Sequence, residues 1–215
     1  MLQKEAVVPE IINLIKELQS NSLFQEHILA GGTALSLHLG HRTSTDIDLF
    51  TSKPQNTFAI IKYFMNTFIN INVEIANDSF IRIYVNDIKV EMVFDDEKII
   101  ETPINDENIR LFGINEISAM KLRAITGRSK GRDFIDIAYL LREIPLNKMF
   151  SLYKEKYGTI SPLYMKRTLL VKSQSIKDNE WLIGIKMIRH DIEPKDVPLF
   201  IEHAVEEYNK NIGIK

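Results

Sequence analysis

Apolar residues recur at helical spacing at Ile11, Ile12, Leu14, Ile15 and Leu18, just after Pro9. They predict a first amphipathic helix that ends at Ser20-Asn21-Ser22. Residues 27–30 read as a short strand, and 33–39 as a short helix stopped by Gly40. Residues 46–50, Asp-Ile-Asp-Leu-Phe, alternate in polarity and predict another strand. After the polar loop Ser52-Lys53-Pro54-Gln55-Asn56, a helix is expected with Phe58, Ile61, Phe64, Met65 and Phe68 as its apolar stripe. Candidate strands follow at 73–76, 80–85 and 88–94, the last two joined by a turn at Asn86-Asp87. In the last strand Ile88, Val90, Met92 and Phe94 share one face, and Lys89, Glu91, Val93 and Asp95 the other.

Beyond Pro103 and the polar stretch 105–108, the pattern turns helical. Asn115 is the expected cap of a helix running through Lys121 to about residue 126, and 127–131 interrupts it. A second helix opens at Arg132 or Asp133 and runs through Leu141, stopping before Pro145. Met149, Leu152, Leu163, Leu169, Trp181, Leu182, Ile185, Phe200 and Val205 predict three or four more helices, with Trp181 in the core. The expected fold class is α+β. A core with a small mixed sheet occupies 1–112, and a helical region, 113–215, follows it and contributes Lys121 and Asp133 to the site.

Composition narrows the chemistry. The 215 residues are 45% hydrophobic and 26% charged, as in an ordinary globular protein, and carry a formal net charge of -2. Any nucleic-acid contact must therefore come from a local basic patch. The absence of cysteine excludes disulfides, zinc–thiolate sites and cysteine nucleophiles, and fits a cytoplasmic protein. The N-terminus does not read as a signal peptide, and no apolar run is long enough to span a bilayer, so no membrane partner is expected.

Gly31-Gly32 lies where a strand hands over to a helix, and glycines there let backbone N–H groups approach a phosphate at a helix N-terminus. Asp46 and Asp48 lie two apart on a strand and face the same side, so they can share a divalent cation such as Mg²⁺. Glu91, on the polar face of a later strand, is the candidate third carboxylate for such a cation. Lys121 can supply positive charge to a triphosphate. Arg42 either binds phosphate or pairs with Asp46. Asp133 and Asp136 either serve the site or form the acidic first turn of a helix, with Asp136 paired to Arg128 or Arg132.

These pieces form a set: Gly31-Gly32-Thr33, Arg42-x-Ser44-x-Asp46-x-Asp48, Glu91, Lys121, and the run Arg128-Ser129-Lys130-Gly131-Arg132-Asp133 with Asp136. Over roughly 28–143 the set resembles the AbiEii/AbiGii-type nucleotidyltransferase toxins. By the same motifs it resembles the wider polymerase-β-like nucleotidyltransferase superfamily. The resemblance implies a Mg²⁺-dependent enzyme that transfers a nucleotide from a nucleoside triphosphate to an acceptor, RNA or tRNA for a toxin of this kind. It also implies a cognate antitoxin. By that resemblance Gly31, Gly32 and Thr33 receive the triphosphate, with Arg42, Lys121 and Arg128 around it. Asp46, Asp48 and Glu91 hold metal, and Asp133 is the extra acid expected ahead of Asp136. The family's third acid is most often aspartate, whereas this chain has glutamate. Two alternatives share the same core: a transferase acting on a drug or metabolite, and a catalytically silent nucleotide-binding module.

Overall fold

The computed structural model describes residues 1–213. They form two compact units. The first comprises 1–97 and 102–113; the second comprises 98–101 and the chain from Ile114 onward.

The first unit is built on a mixed sheet. Its strands are β1 (Ile28–Leu29), β2 (Ile47–Thr51), β3 (Ile71–Ala76), β4 (Phe80–Val85), β5 (Ile88–Phe94), β6 (Ile104–Asp106) and β7 (Ile109–Leu111). They lie in the order β3-β4-β5-β2-β1-β7-β6. The β2/β5 and β1/β7 pairs are parallel and the other neighbours antiparallel. Ile47, Leu49, Ile81, Ile83, Val90 and Met92 are buried, as alternation along β2, β4 and β5 requires. The opposite face of β2 and β5 is thereby left for Asp48, Lys89 and Glu91.

Three helices complete this unit. Helix α1 (Pro9–Ser20) starts with proline in its first turn, where no N–H partner is needed, and buries Ile11, Ile12, Leu14, Ile15 and Leu18. Helix α2 (Gly31–Leu39) ends at Gly40, which adopts a left-handed φ of 59° and returns its N–H to Ser36. Helix α3 (Thr57–Thr67) is capped by Asn56, whose side chain accepts from the Ala59 N–H. The stripe expected on α3 is buried only at Phe64, and the buried side is shifted toward Ile60. Ile60 and Phe64 are buried, while Phe58 and Met65 are exposed. The helix is apolar around much of its circumference, so periodicity alone does not select the inward face.

Residues 104–111 also depart from expectation. The polar stretch is the turn of a β6–β7 hairpin, with Glu107 and Asn108 at φ of 51° and 66°. Asn86 and Asp87 adopt the same pair of left-handed conformations, at 47° and 68°, between β4 and β5. Both turns thus have the φ signs of the type I′ loop that matches strand twist. The β6 and β7 runs are three residues each, too short to register as alternation.

The second unit is helical: α4 (Ile114–Gly127), α5 (Gly131–Glu143), α6 (Leu146–Tyr157), α7 (Pro162–Gln174) and α8 (Val197–Asn211). Helix α4 contacts α5, α6 and α7, and α8 contacts α5, α6 and α7. Asn115 is not a cap; it lies inside α4 and donates its side-chain amide to Glu101. The 98–101 segment is tied to α4 and α6. Ile100 N–H donates to Glu116, Lys156 Nζ donates to the Lys98 carbonyl, and a buried Lys156–Glu116 ion pair of 2.8 Å sits beneath. Trp181 is buried, as expected, and its backbone presses on Gly131: a Cβ there would lie 2.6 Å from Trp181 Cα. Among the described residues no helix is long and apolar enough to cross a membrane.

Candidate active site

Asp48 and Glu91 share one rung of the sheet, and Asp46 lies on the segment just before β2, outside the strand expected from residue 46. Parallel pairing of β2 with β5 sets Asp48 directly opposite Glu91. Antiparallel pairing of β4 with β5 sets Arg82 opposite Glu91 and Tyr84 opposite Lys89. Arg82, Glu91 and Asp48 therefore lie side by side, and Arg82 Nε meets Glu91 Oε1 at 2.7 Å. Lys89 lies in the gap between acids, with Nζ 3.0 Å from Asp46 Oδ2 and 3.5 Å from Glu91 Oε1. Asp46, Asp48 and Glu91 thus occur together with two cations, Lys89 and Arg82.

Charge compensation governs Glu91 and Lys89. Burial pushes the Glu91 carboxyl up, but the Lys89 ammonium and the Arg82 guanidinium outweigh it and hold the group below its ordinary pKa. Asp48 lies within hydrogen-bonding range of Glu91. Burial pulls Lys89 down, but the hydrogen bond and charge of Asp46, with Glu91 behind, raise it overall.

The glycine pair is built into the first turn of α2, two residues earlier than the predicted helix start. Gly31 has φ of 66°, and a Cβ on it would lie 2.0 Å from Asp48 Oδ2. Conformation and space therefore both demand glycine there. At Gly32 a Cβ would lie 2.4 Å from Arg42 Nη2. Arg42 is only 1% exposed, and its Nη1 donates to the Thr43 carbonyl at 2.9 Å. The Thr33 hydroxyl is hydrogen-bonded to Ser44 Oγ at 2.8 Å and to the Asp46 carbonyl. Thr33 thereby ties α2 to the segment that delivers Asp46 to the sheet.

In the second unit, Lys121, Arg128, Asp133 and Asp136 form one network. Lys121 is 5% exposed, and its ammonium is 3.0 Å from Asp133 Oδ1 and 2.6 Å from Asp136 Oδ2. Arg128 grips Asp133 with two parallel bonds, Nε to Oδ2 at 2.6 Å and Nη2 to Oδ1 at 2.9 Å. Burial pushes Asp133 up, but Lys121 and Arg128 prevail and hold it at about 2. Lys121 pairs with Asp136 as well as with Asp133. Immediately beside the network, a cavity of about 320 Å³ at the N-terminus of α5 is lined by Ser129, Lys130, Gly131, Arg132, Glu180 and Ile183.

The donor set of the first unit suits a hard divalent cation, since Asp46, Asp48 and Glu91 offer only oxygen. The Lys89 ammonium is a stand-in cation between two of them. As the side chains stand, no group of three or more acids or imidazoles among the described residues is arranged to hold a metal ion. Lys89 and Arg82 carried no assignment from sequence. Their signal was their place on the strands that carry or flank Glu91.

Comparison with known proteins adds the family. The model of the nucleotidyl transferase AbiEii toxin of type IV toxin–antitoxin systems matches residues 14–208. The chain belongs to that family. It is a nucleotidyltransferase, and the match extends through the C-terminal helices, well beyond the stretch that motifs alone support. An uncharacterised protein of Aquifex aeolicus, aq_aa25, is 26% identical over 205 residues, covering 92% of this chain and 95% of that one. A provisionally named nucleotidyltransferase of Helicobacter pylori shares the fold, with TM-score 0.56 at 18% identity over 95% of this chain and 94% of that one. So does MenT4, a nucleotidyltransferase toxin of Mycobacterium tuberculosis, with TM-score 0.53 at 13% identity over 92% and 82%.

Proposed function

We propose that this AbiEii-family toxin transfers the nucleotidyl group of a Mg²⁺-bound nucleoside triphosphate to a hydroxyl of an RNA acceptor, with tRNA the first candidate. The acceptor oxygen forms a bond to the α-phosphorus, the bond from that phosphorus to the bridging oxygen breaks, and pyrophosphate leaves with the electron pair. Asp48 is the proposed acceptor of the hydroxyl proton. The backbone N–H groups of Gly31 and Gly32 receive phosphate oxygens at the start of α2. Arg42 adds charge beside Gly32. Asp46, Asp48 and Glu91 would hold Mg²⁺, which supplies charge neutralisation to the triphosphate.

The observation that carries this reading is the contact of the Gly31 α-carbon with the Asp48 carboxylate. It supports reading the helix start as the phosphate receiver and Asp48 as a proposed metal ligand beside it. Asp133 and Asp136 hold Lys121 and Arg128 in fixed positions; Lys121 and Arg128 are the proposed cations for the triphosphate, and Asp133 the proposed extra acid.

An RNA acceptor is favoured by how charge is distributed. Residues 114–215 carry 18 Lys and Arg against 13 Asp and Glu, whereas 1–113 carry 9 against 16. The basic excess lies in the helical part, including the Lys130–Arg132 rim of the α5 cavity. A cognate antitoxin is the proposed protein partner, a reading supported by the type IV description of the family.

The test incubates the protein with Mg²⁺ and each α-labelled nucleoside triphosphate in turn, with total tRNA in one arm and small hydroxyl acceptors in the other. Label on tRNA is expected. Label only on a small acceptor would assign the enzyme to drug or metabolite modification.

A further inference from the structure

Lys89 stands where the metal reading needs a cation. It projects from the same face of β5 as Glu91, one pleat earlier along the strand. Its ammonium lies 3.0 Å from Asp46 Oδ2. The same ammonium is 3.5 Å from Glu91 Oε1, so it bridges an acid of β5 to the acid that precedes β2. The Lys89 and Asp46 side chains are 22% and 23% exposed, and Glu91 16%, so the group is partly shielded from water. Carboxylates brought this close repel one another unless a cation lies between them. Arg82 relieves Glu91 from the β4 side. Lys89 relieves the Asp46 side, and its long flexible stem lets it leave without moving the strand.

We propose that Lys89 is the resident counter-cation of the acid face and competes directly with divalent metal for it. The inference rests on the proposed reading of Asp46, Asp48 and Glu91 as metal ligands. Without metal, Lys89 keeps the acids assembled at low electrostatic cost. When a divalent cation arrives, the ammonium gives up Asp46 and Glu91, because both cannot occupy the same oxygens. Lys89 thus sets the metal concentration at which the site loads.

The full-length protein, stripped with chelator, is titrated with Mn²⁺ by calorimetry and by the loss of the free-Mn²⁺ paramagnetic signal. Wild type is compared with Lys89→Met, Lys89→Gln, Lys89→Arg and Asp48→Asn. Lys89→Met and Lys89→Gln should bind Mn²⁺ about five- to tenfold more tightly than wild type, the scale of one partly shielded ion pair. Lys89→Arg keeps the charge and should not bind more tightly. In chelator the Met and Gln variants should melt lower than wild type, and Mn²⁺ should raise their Tm by more. If Lys89→Met does not fold without metal, Lys89→Gln carries the comparison. Equal or weaker Mn²⁺ binding in the neutral variants would overturn the proposal and make Lys89 a simple prop for Glu91. Equal tightening in Lys89→Arg would overturn it too, because charge would not be the cause. The Asp48→Asn arm separates the two layers. If it binds Mn²⁺ as wild type does, or wild type binds none, the metal reading itself fails. If it loses binding while Lys89→Met is unchanged, only the competition fails.

Discussion

The α-carbon of Gly31 lies against the carboxylate of Asp48, so close that a methyl group there would sit 2.0 Å from Oδ2. Backbone adds to the constraint, because Gly31 has φ of 66°. Gly31→Ala should therefore displace Asp48 and strain the turn, destabilising the protein by about 1–3 kcal/mol. Gly32→Ala meets the buried guanidinium of Arg42 and, at 3.4 Å, Ser44 Oγ, but has no left-handed φ to strain, and should cost less. Urea unfolding of both variants checks the order, and nucleotidyl transfer should fall at least tenfold (about 1.4 kcal/mol) in Gly31→Ala.

Lys121 bridges two carboxylates that have no exposure of their own. Removing its charge with Lys121→Met should destabilise the protein by about 3–5 kcal/mol, as expected when one partner of a buried ion pair is lost. Arg128, whose side chain is 46% exposed, should matter less on truncation. The double variant Lys121→Met/Asp136→Leu should recover part of the loss. Denaturant melts at pH 7 provide the comparison; a Lys121→Met protein as stable as wild type would confine that lysine to ligand contact.

Asp133 gives a pH signature. Its folded-state pKa is about 2 against an ordinary 3.8, so between these values the unfolded chain binds more protons. Stability from this group is fully present above pH ~4 and drains away as pH falls toward 2, roughly 2 kcal/mol in total. Asp133→Asn should flatten the acid limb of stability against pH by close to one proton, measured by chemical unfolding from pH 5 to pH 2.

Glu91 is held on both sides, by Arg82 at 2.7 Å and Lys89 at 3.5 Å. Glu91→Gln keeps the shape and removes the charge. It should weaken Mn²⁺ binding about tenfold or more, as loss of one charged oxygen ligand implies. Glu91→Leu should lower binding further and leave Arg82 to Glu74, whose Oε1 lies 3.1 Å from Arg82 Nη1. Calorimetric titration reads both, and unaltered binding in Glu91→Gln would remove Glu91 from the ligand set.

The sequence made the first unit's acids legible because strand periodicity fixes direction. Asp48, and Glu91 opposite an apolar alternate, fall on one face once β2 and β5 are neighbours, and Asp46, just before β2, meets them through Lys89. That β2 and β5 pair in parallel, with Asp48 opposite Glu91, depends on non-local pairing that no local pattern states. Lys89 stayed unassigned for the same reason. A lysine on a polar strand face is ordinarily solvated, and only the register brings it to Asp46. Gly40 and Pro9 were readable because each has a single conformational use there. The inward face of α3 is harder to read, because Ile60 and Tyr63 carry the apolar surface past the arc of Phe58, Ile61, Phe64, Met65 and Phe68, and the buried side is its Ile60–Phe64 edge. The β6–β7 hairpin hid behind a polar turn and two three-residue strands. Lys121 was legible as a conspicuous lysine, but not as a buried one, because its partners Asp133 and Asp136 come from the next helix.

The most direct test of the account is transfer of label from an α-labelled nucleoside triphosphate to RNA by wild type and Asp48→Ala side by side, with folding of both verified by circular dichroism. Wild type should label RNA in the presence of Mg²⁺, and a folded Asp48→Ala should fall by at least a thousandfold, about 4 kcal/mol of transition-state stabilisation. Equal labelling by the two folded proteins would contradict the account.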